Sequence, residues 1–68
     1  MKSAADGSMF QKALDLQNKK QYPLAVVLYE QCLEKATDEA ELKKIRKALA
    51  ECYLYMGESV KAKKVLND

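Results

Sequence analysis

The sequence predicts an all-α fold built from antiparallel helical hairpins, and three observations support this prediction. The 68-residue chain has only two glycines and one proline while 32% of its residues are charged, which is typical of helices joined by short loops. Apolar residues recur at three- and four-residue steps over most of the chain. A pattern of small and large residues also occurs twice, at an offset of about 37 residues, near the roughly 34-residue period of helical repeats. The matched pairs are Ala13 with Ala50, Ala25 with Ala62, and Tyr29 with Leu66.

The N-terminal residues differ in pattern from the first helix. Residues 1–7 (MKSAADG) show no apolar periodicity, so we expect a disordered leader or tag there and a single helical domain over residues 8–68. Ser8 and Gln11 have the spacing of a capping box, which predicts a helix over residues 9–19. Met9, Ala13, Leu16 and Lys20 share one helical face, with Phe10 and Leu14 beside it.

The second helix is predicted over residues 23–36. Pro23 disfavours the α conformation at Tyr22 and suits the first position of a helix, so it separates helices 1 and 2. The break is short, which predicts that the two helices form an antiparallel hairpin. Val26 and Val27 widen the apolar stripe, so we expect neighbours on two sides of this helix. The stripe itself consists of Ala25, Leu28, Tyr29, Cys32, Leu33 and Ala36.

The third helix is predicted over residues 39–56, after an interruption at Thr37 and Asp38. Asp38 has capping-box spacing with Glu41. Glu39 and Glu41 also place negative charge at the positive end of the helix dipole. The apolar face of this helix recurs at three- and four-residue steps and consists of Leu42, Ile45, Leu49, Cys52, Tyr53 and Met56.

Gly57 leaves two alternatives for the C-terminal part of the chain. As a left-handed residue it ends helix 3, and Ser59 then caps a short fourth helix. Otherwise Gly57 stays inside helix 3 at a cost of about 1 kcal/mol. We favour the break, so the predicted fold is a stack of two hairpins or a three-helix bundle with a short fourth helix. That fourth helix carries Val60, Ala62, Val65 and Leu66.

Charge and composition argue against several kinds of partner. The formal net charge is +2 with acidic and basic residues interspersed, so we expect no nucleic-acid binding. No apolar run approaches the length of a membrane span, and no apolar segment follows Lys2 as it does in a secretory signal. Cys32 and Cys52 lie in strongly helical stretches and are expected to be buried thiols in a reducing compartment, which predicts a cytoplasmic protein. A disulfide is the alternative.

The chain lacks the residues that most catalytic and metal sites need. It contains no histidine, its two glycines are isolated, and two cysteines are too few for a zinc site. We therefore expect no enzyme activity, no cofactor and no bound metal. The basic residues 43–47 (KKIRK) spread their charges around more than half of a helix, which favours a solvated face over a patch for acidic peptides or anionic membranes.

The repeated pattern resembles the tetratricopeptide repeat family, whose unit is two antiparallel helices in contact through small residues. The resemblance covers about residues 9–66 and implies a stack of such hairpins. Three residues depart from the family pattern. Lys12 stands in place of a large apolar residue, Lys20 in place of the turn glycine and Ser59 in place of an aromatic residue. The matching residues are Ala13, Leu16, Tyr22, Ala25, Tyr29 and Cys32 in the first unit and Ala50, Tyr53, Gly57, Ala62 and Leu66 in the second.

The chain also resembles the microtubule-interacting and trafficking domain, a three-helix bundle. Residues 10–16 (FQKALDL) are similar to its opening helix, Tyr22, Ala25 and Tyr29 to its second helix, and residues 53–61 to the end of its third. This resemblance implies a groove between helices 2 and 3 that binds helical tails of membrane-remodelling polymer subunits. The short predicted helices favour the tetratricopeptide resemblance.

Both resemblances imply a non-catalytic protein–protein interaction module. In a tetratricopeptide stack the first helices of successive units line a concave groove, which implies that helices 1 and 3 bind a short peptide or helix with apolar and acidic residues. A third alternative is structural, because a short helix 4 leaves Val60, Val65 and Leu66 poorly covered and open to assembly or homodimerisation through the C-terminal end. The implied groove residues are Phe10, Leu14 and Gln17 on helix 1 and Lys44, Lys47, Glu51 and Tyr55 on helix 3.

Overall fold

The computed structural model describes residues 4–67, which form four α-helices. These are α1 (Ala4–Asn18), α2 (Tyr22–Lys35), α3 (Glu39–Tyr55) and α4 (Ser59–Asn67). No strand occurs in the described range, so the predicted all-α class is confirmed. Each helix packs against the next one along the chain. Because the connections are short, neighbouring helices are antiparallel and α1 and α3 point in the same direction.

The first helix begins earlier than predicted. α1 starts at Ala4 rather than at residue 9, so Ser8 lies inside the helix and the predicted capping box with Gln11 does not form. Ala4 and Ala5 have the highest helix propensity of any residue type, and Gly7 costs only about 1 kcal/mol inside a helix. Local propensity therefore extends the helix over residues that carry no apolar pattern. Residues 1–3 of the predicted leader lie outside the described residues.

The turn between α1 and α2 forms around a lysine in the left-handed conformation. Lys20 has a φ of 65°. The Lys20 amide donates to the Gln17 carbonyl (2.9 Å) and the Gln21 amide donates to the Leu16 carbonyl (2.8 Å). These two hydrogen bonds are those of a Schellman motif, which usually selects glycine at the left-handed position. They help to offset the strain of a non-glycine residue there, which is about 1–2 kcal/mol.

The turn between α3 and α4 repeats this arrangement. Gly57 has a φ of 80°. Its amide donates to the Leu54 carbonyl (3.0 Å), and the Glu58 amide donates to the Tyr53 carbonyl (2.8 Å). The favoured break at Gly57 is therefore confirmed, and the alternative of a continuous helix 3 is wrong. The offset of about 37 residues that defines the repeated sequence pattern also relates Gly57 to Lys20.

The starts of α2 and α3 differ in detail from the prediction. α2 begins at Tyr22, so Pro23 is its second residue and Gln21 is the N-cap. The missing amide hydrogen of proline costs nothing here, because the first amides of a helix have no partner inside the helix. Asp38 is the N-cap of α3 as predicted, but its side chain makes no capping hydrogen bond, so the capping box with Glu41 is absent.

The start of α4 is also shifted by one residue. The Ala62 amide donates to the Glu58 carbonyl (3.1 Å), which makes Glu58 the N-cap and Ser59 the first helical residue. The Glu58 carboxylate forms an ion pair with Lys61 (3.0 Å). Both side chains are partly or largely exposed, so this pair adds little stability.

The core lies where α2 packs against α1 and α3. The four alanines of the repeated pattern, at positions 13, 25, 50 and 62, are at most 2% exposed and allow the helices to approach closely. Tyr29 is also completely buried. Val26 is half-buried but Val27 is 48% exposed, so α2 is covered less widely than predicted. The buried cluster consists of Ala13, Ala25, Tyr29, Cys32, Ile45, Leu49 and Cys52.

Candidate functional site

The helices α1 and α3 lie side by side and touch through two pairs of side chains. The Lys44 ammonium lies 4.8 Å from the centre of the Phe10 ring. Two turns further along both helices, Gln17 Nε2 donates a hydrogen bond to Glu51 Oε1 (3.3 Å). The equal spacing of the contacts along both helices agrees with their parallel direction. These four predicted groove residues are therefore neighbours, and we call the surface between them the α1–α3 groove.

An apolar cavity of about 370 Å³ opens in this groove near the start of α3. Phe10 and Leu14 of α1, Ala36 after α2 and Ile45 of α3 contribute apolar walls, and Lys44 also lines the cavity. Its volume lies within the range of small-ligand sites, so it can hold a large apolar side chain. Leu14 is half-buried, so it presents part of its apolar surface to this space.

A chain of hydrogen bonds crosses the groove beyond the cavity. The Tyr29 hydroxyl donates to Gln17 Oε1 (2.6 Å), and the Gln17 amide donates to Glu51. The Tyr29 ring packs at a tilt of 60° on the Phe10 ring, with centroids 5.6 Å apart. Burial raises the pKa of Tyr29 to about 12, so its hydroxyl stays protonated and keeps donating at neutral pH. These two hydrogen bonds hold the side chains of Gln17 and Glu51 together at the base of the groove.

An aromatic pair lies at the far end of the groove. The rings of Tyr22 and Tyr55 stack with centroids 5.0 Å apart and an interplanar angle of 13°. Tyr55 is nevertheless 67% exposed, so most of its surface is open to a partner. Tyr55 is one of the predicted groove residues, and the structure adds Tyr22 as its stacking partner.

The seventh predicted residue, Lys47, is exposed. It lies three residues after Lys44 and four residues before Glu51, so it is on the same side of α3 as these two residues. The sequence interpretation missed Glu41, which lines the cavity one turn before Lys44, and Gln11 on the opposite wall. Glu41 could have been predicted, because it lies three residues before Lys44 and so on the same helical face. No feature of the sequence pointed to Gln11 as a groove residue.

A further polar contact joins α3 to α2, on a different side of α3 from the groove. The Tyr53 hydroxyl donates to Glu30 Oε2 (3.1 Å), and the Lys61 ammonium of α4 lies 5.9 Å from the centre of the Tyr53 ring. Burial and this hydrogen bond raise the pKa of Tyr53. The groove between helices 2 and 3 that the trafficking-domain resemblance implies is therefore bridged by side chains of the chain itself.

Both cysteines are buried, as predicted. Burial, together with the nearby charge of Glu51, raises the pKa of Cys52 to about 11. Its nucleophilic thiolate is therefore scarce at neutral pH. At residues 8–67, whose side chains are described, no three metal-binding side chains of the histidine, cysteine, aspartate or glutamate type come together. None of the helices in that range combines the length and the apolar character that crossing a membrane requires.

Comparisons with known proteins do not assign this chain to a family. No protein-family model, no curated protein and no solved structure matches the chain. The geometry of the α1–α3 groove, together with the resemblances in the sequence, is therefore the basis for inferring a function.

Proposed function

We propose that this chain is a non-catalytic protein-interaction module that holds a short amphipathic peptide or helix of a partner protein in the α1–α3 groove. The observation that carries the proposal is the apolar cavity between Phe10, Leu14 and Ile45, with Lys44 beside it. Apolar surface in such a cavity is exposed to water, and covering it stabilises a complex by about 25 cal/mol per Å². The two buried thiols suit a reducing compartment, so we place this activity in the cytoplasm.

The two-hairpin architecture supports this proposal. The break at Gly57 and the repeated turn geometry at Lys20 are what a tetratricopeptide-like stack of two units would have. In that family the first helices of successive units line the binding surface, and here α1 and α3 hold those places. The chain contains no histidine, which supports binding over acid–base catalysis.

A titration of the ¹⁵N-labelled protein with helical peptides tests the proposal. We expect amide shifts at the cavity and along the groove, around Leu14, Lys44 and Tyr55. The substitution Leu14→Arg places a charge in the cavity and is expected to weaken binding at least tenfold, on the order of 1.4 kcal/mol. Leu14 is not part of the buried cluster, so the variant should fold. The matched control is Lys12→Ala, an exposed α1 residue that does not line the cavity.

Two other results would contradict the proposal. Shifts confined to α2 and α3 would favour the trafficking-type groove, which is the alternative binding mode. Equal peptide affinity in the wild type and in the Leu14→Arg variant would show that the cavity is not the site. Circular dichroism of both variants separates these results from misfolding.

A structural role in assembly is the second candidate function. It is favoured by the exposure of large apolar side chains at the C-terminal end, since Val60 is 78%, Leu66 57% and Leu54 55% exposed. Light scattering over a range of concentrations tests it. A mass that rises with concentration would support assembly, while a constant monomer mass would contradict it.

A further inference from the structure

The groove carries a positive charge, on Lys44, and a negative charge, on Glu51, at two different positions along α3. Lys44 and Glu51 lie seven residues apart on one face of α3, which is two helical turns and about 10.5 Å. Among the side chains that the structure describes, at residues 8–67, the only ion pair is that of Lys61 with Glu58. Neither Lys44 nor Glu51 therefore has an opposite charge in contact within the described part of the chain.

The immediate surroundings of both charges leave them available. The Lys44 ammonium rests over the Phe10 ring, a contact worth about 0.5–1 kcal/mol at exposed sites, and a carboxylate can approach its open side. Glu51 receives the Gln17 amide on Oε1 only, among the hydrogen bonds described. A carboxylate has acceptor capacity beyond one such bond, so Glu51 can still accept from a cation.

The cavity lies near one of the two charged residues and not near the other. It lies beside Lys44 and is separated from Glu51 by the hydrogen-bond chain from Tyr29 through Gln17. Glu41 lines the cavity one turn before Lys44 and would repel a carboxylate on that side. An acidic partner residue is therefore favoured only between the cavity and the level of Glu51.

Building on the proposed function, we infer that the α1–α3 groove binds an amphipathic partner helix with a defined order of side chains. A large apolar residue fills the cavity, an acidic residue one turn away pairs with Lys44, and a basic residue two turns beyond the acidic one pairs with Glu51. A helix presents residues at steps of three, four and seven on one face, so a single partner helix can supply all three. The charges set the register of the partner more than they set its affinity.

Two synthetic helical peptides of about 14 residues test this order, a length that spans about 21 Å. Both have the same composition and the same apolar anchor. The first has glutamate next to the anchor and lysine two turns further, and the second has these two residues exchanged. We expect the wild type to prefer the first peptide about tenfold at low salt, with the preference falling at high salt because the charges are partly exposed.

A charge-swapped protein supplies the matched control. In the double variant Lys44→Glu with Glu51→Lys the preference should reverse, so that the second peptide binds more tightly. Both side chains are exposed, so we expect the variant to fold, and circular dichroism checks this. Should it fail to fold, the single variant Lys44→Met should lose most of the preference for the first peptide.

The outcomes separate this inference from the proposed function. Equal binding of both peptides at the groove would overturn the charge order and leave the groove as a peptide site. Binding of neither peptide would overturn both. Groove shifts that depend on protein concentration without any peptide would replace the partner helix with a second copy of this chain.

Discussion

At the scale of single residues, Tyr29 connects the core to the candidate site. Its ring is completely buried, and its hydroxyl donates to Gln17, which in turn donates to Glu51 at the groove surface. A buried hydroxyl without a partner costs about 1–3 kcal/mol, so Gln17 is needed for stability as well as for the site. The buried hydroxyl of Tyr29 therefore explains why a glutamine lies at position 17 of the groove.

Alkaline pH should destabilise the protein through Tyr29 and Cys52. Burial raises the pKa of Tyr29 from 10.0 to about 12 and that of Cys52 from 9.0 to about 11. A group whose pKa is raised on folding stabilises the native state below its unfolded pKa and loses this effect as the pH rises through the folded value. We expect the unfolding free energy to fall from about pH 9 to about pH 12.

The variant Tyr29→Phe isolates one part of this effect. At neutral pH it should lose about 1 kcal/mol, because Gln17 loses its hydrogen-bond donor. Above pH 10 its stability should fall less steeply than that of the wild type, since position 29 no longer ionises. Urea unfolding monitored by circular dichroism at a series of pH values measures both, and parallel curves for the two proteins would contradict the assignment to Tyr29.

At the scale of helices and turns, the two hairpins end their first helices in the same way. Lys20 and Gly57 occupy equivalent left-handed positions, each with the same pair of backbone hydrogen bonds. Gly57 has no heavy atom within 4 Å of the place where a Cβ would lie, so its role is conformational rather than steric. The Lys20 turn, by contrast, keeps a side chain that the conformation disfavours.

Substitutions at these two turns should change stability in opposite directions. Lys20→Gly should raise the unfolding free energy by up to about 1 kcal/mol, because relief of the left-handed strain exceeds the added flexibility of the unfolded chain. Gly57→Ala should lower it by about 1 kcal/mol for the converse reason. Urea unfolding measures both values.

The control for Lys20→Gly is Lys20→Ala, which removes the long side chain but keeps the Cβ. If the alanine variant were as stable as the glycine variant, the gain would come from loss of the lysine side chain and not from relief of strain. A destabilised Lys20→Gly protein would contradict the strain at this turn.

At the scale of the whole molecule, the two hairpins present different outer faces. The residues of the first hairpin that meet α3 include Phe10 and Tyr22, whose equivalents at the offset of about 37 residues are Lys47 and Ser59. Tyr29, fully buried under α3, corresponds to Leu66, which is 57% exposed. Two of these three positions on the second hairpin are therefore polar, and the third carries an exposed leucine.

This difference predicts that the chain does not associate through its C-terminal hairpin. Val60 and Leu66 are flanked by exposed lysines at positions 61, 63 and 64, and like charges oppose the pairing of two copies. We expect sedimentation equilibrium to give the 7.7 kDa monomer at all concentrations.

In the double variant Lys47→Phe with Ser59→Tyr, the outer face of the second hairpin carries the aromatic side chains that the first hairpin has at the equivalent positions 10 and 22. It should associate as concentration rises, because it exposes a larger apolar patch. A wild-type dimer would contradict the prediction and favour the assembly role. A monomeric double variant would show that polarity at these two positions is not what prevents association.

The sequence by itself determined the helical class and the buried small residues, and it favoured the break at Gly57 that the structure confirms. These follow from local rules, since apolar spacing sets the buried face of a helix and Gly57 or Pro23 interrupts it wherever the rest of the chain lies. The same rules failed at the start of α1, where helix propensity extends beyond the apolar pattern, and at Val27, whose exposure depends on which neighbours are present.

Only the tertiary structure decided which side chains meet across the helices. The sequence pattern repeats at about 37 residues, but the contacts across the groove join residues 34 positions apart, as Gln17 and Glu51 show. This register depends on how the helices pack, and no local pattern encodes it. The packing therefore placed the cavity beside Lys44 and paired Tyr22 with Tyr55.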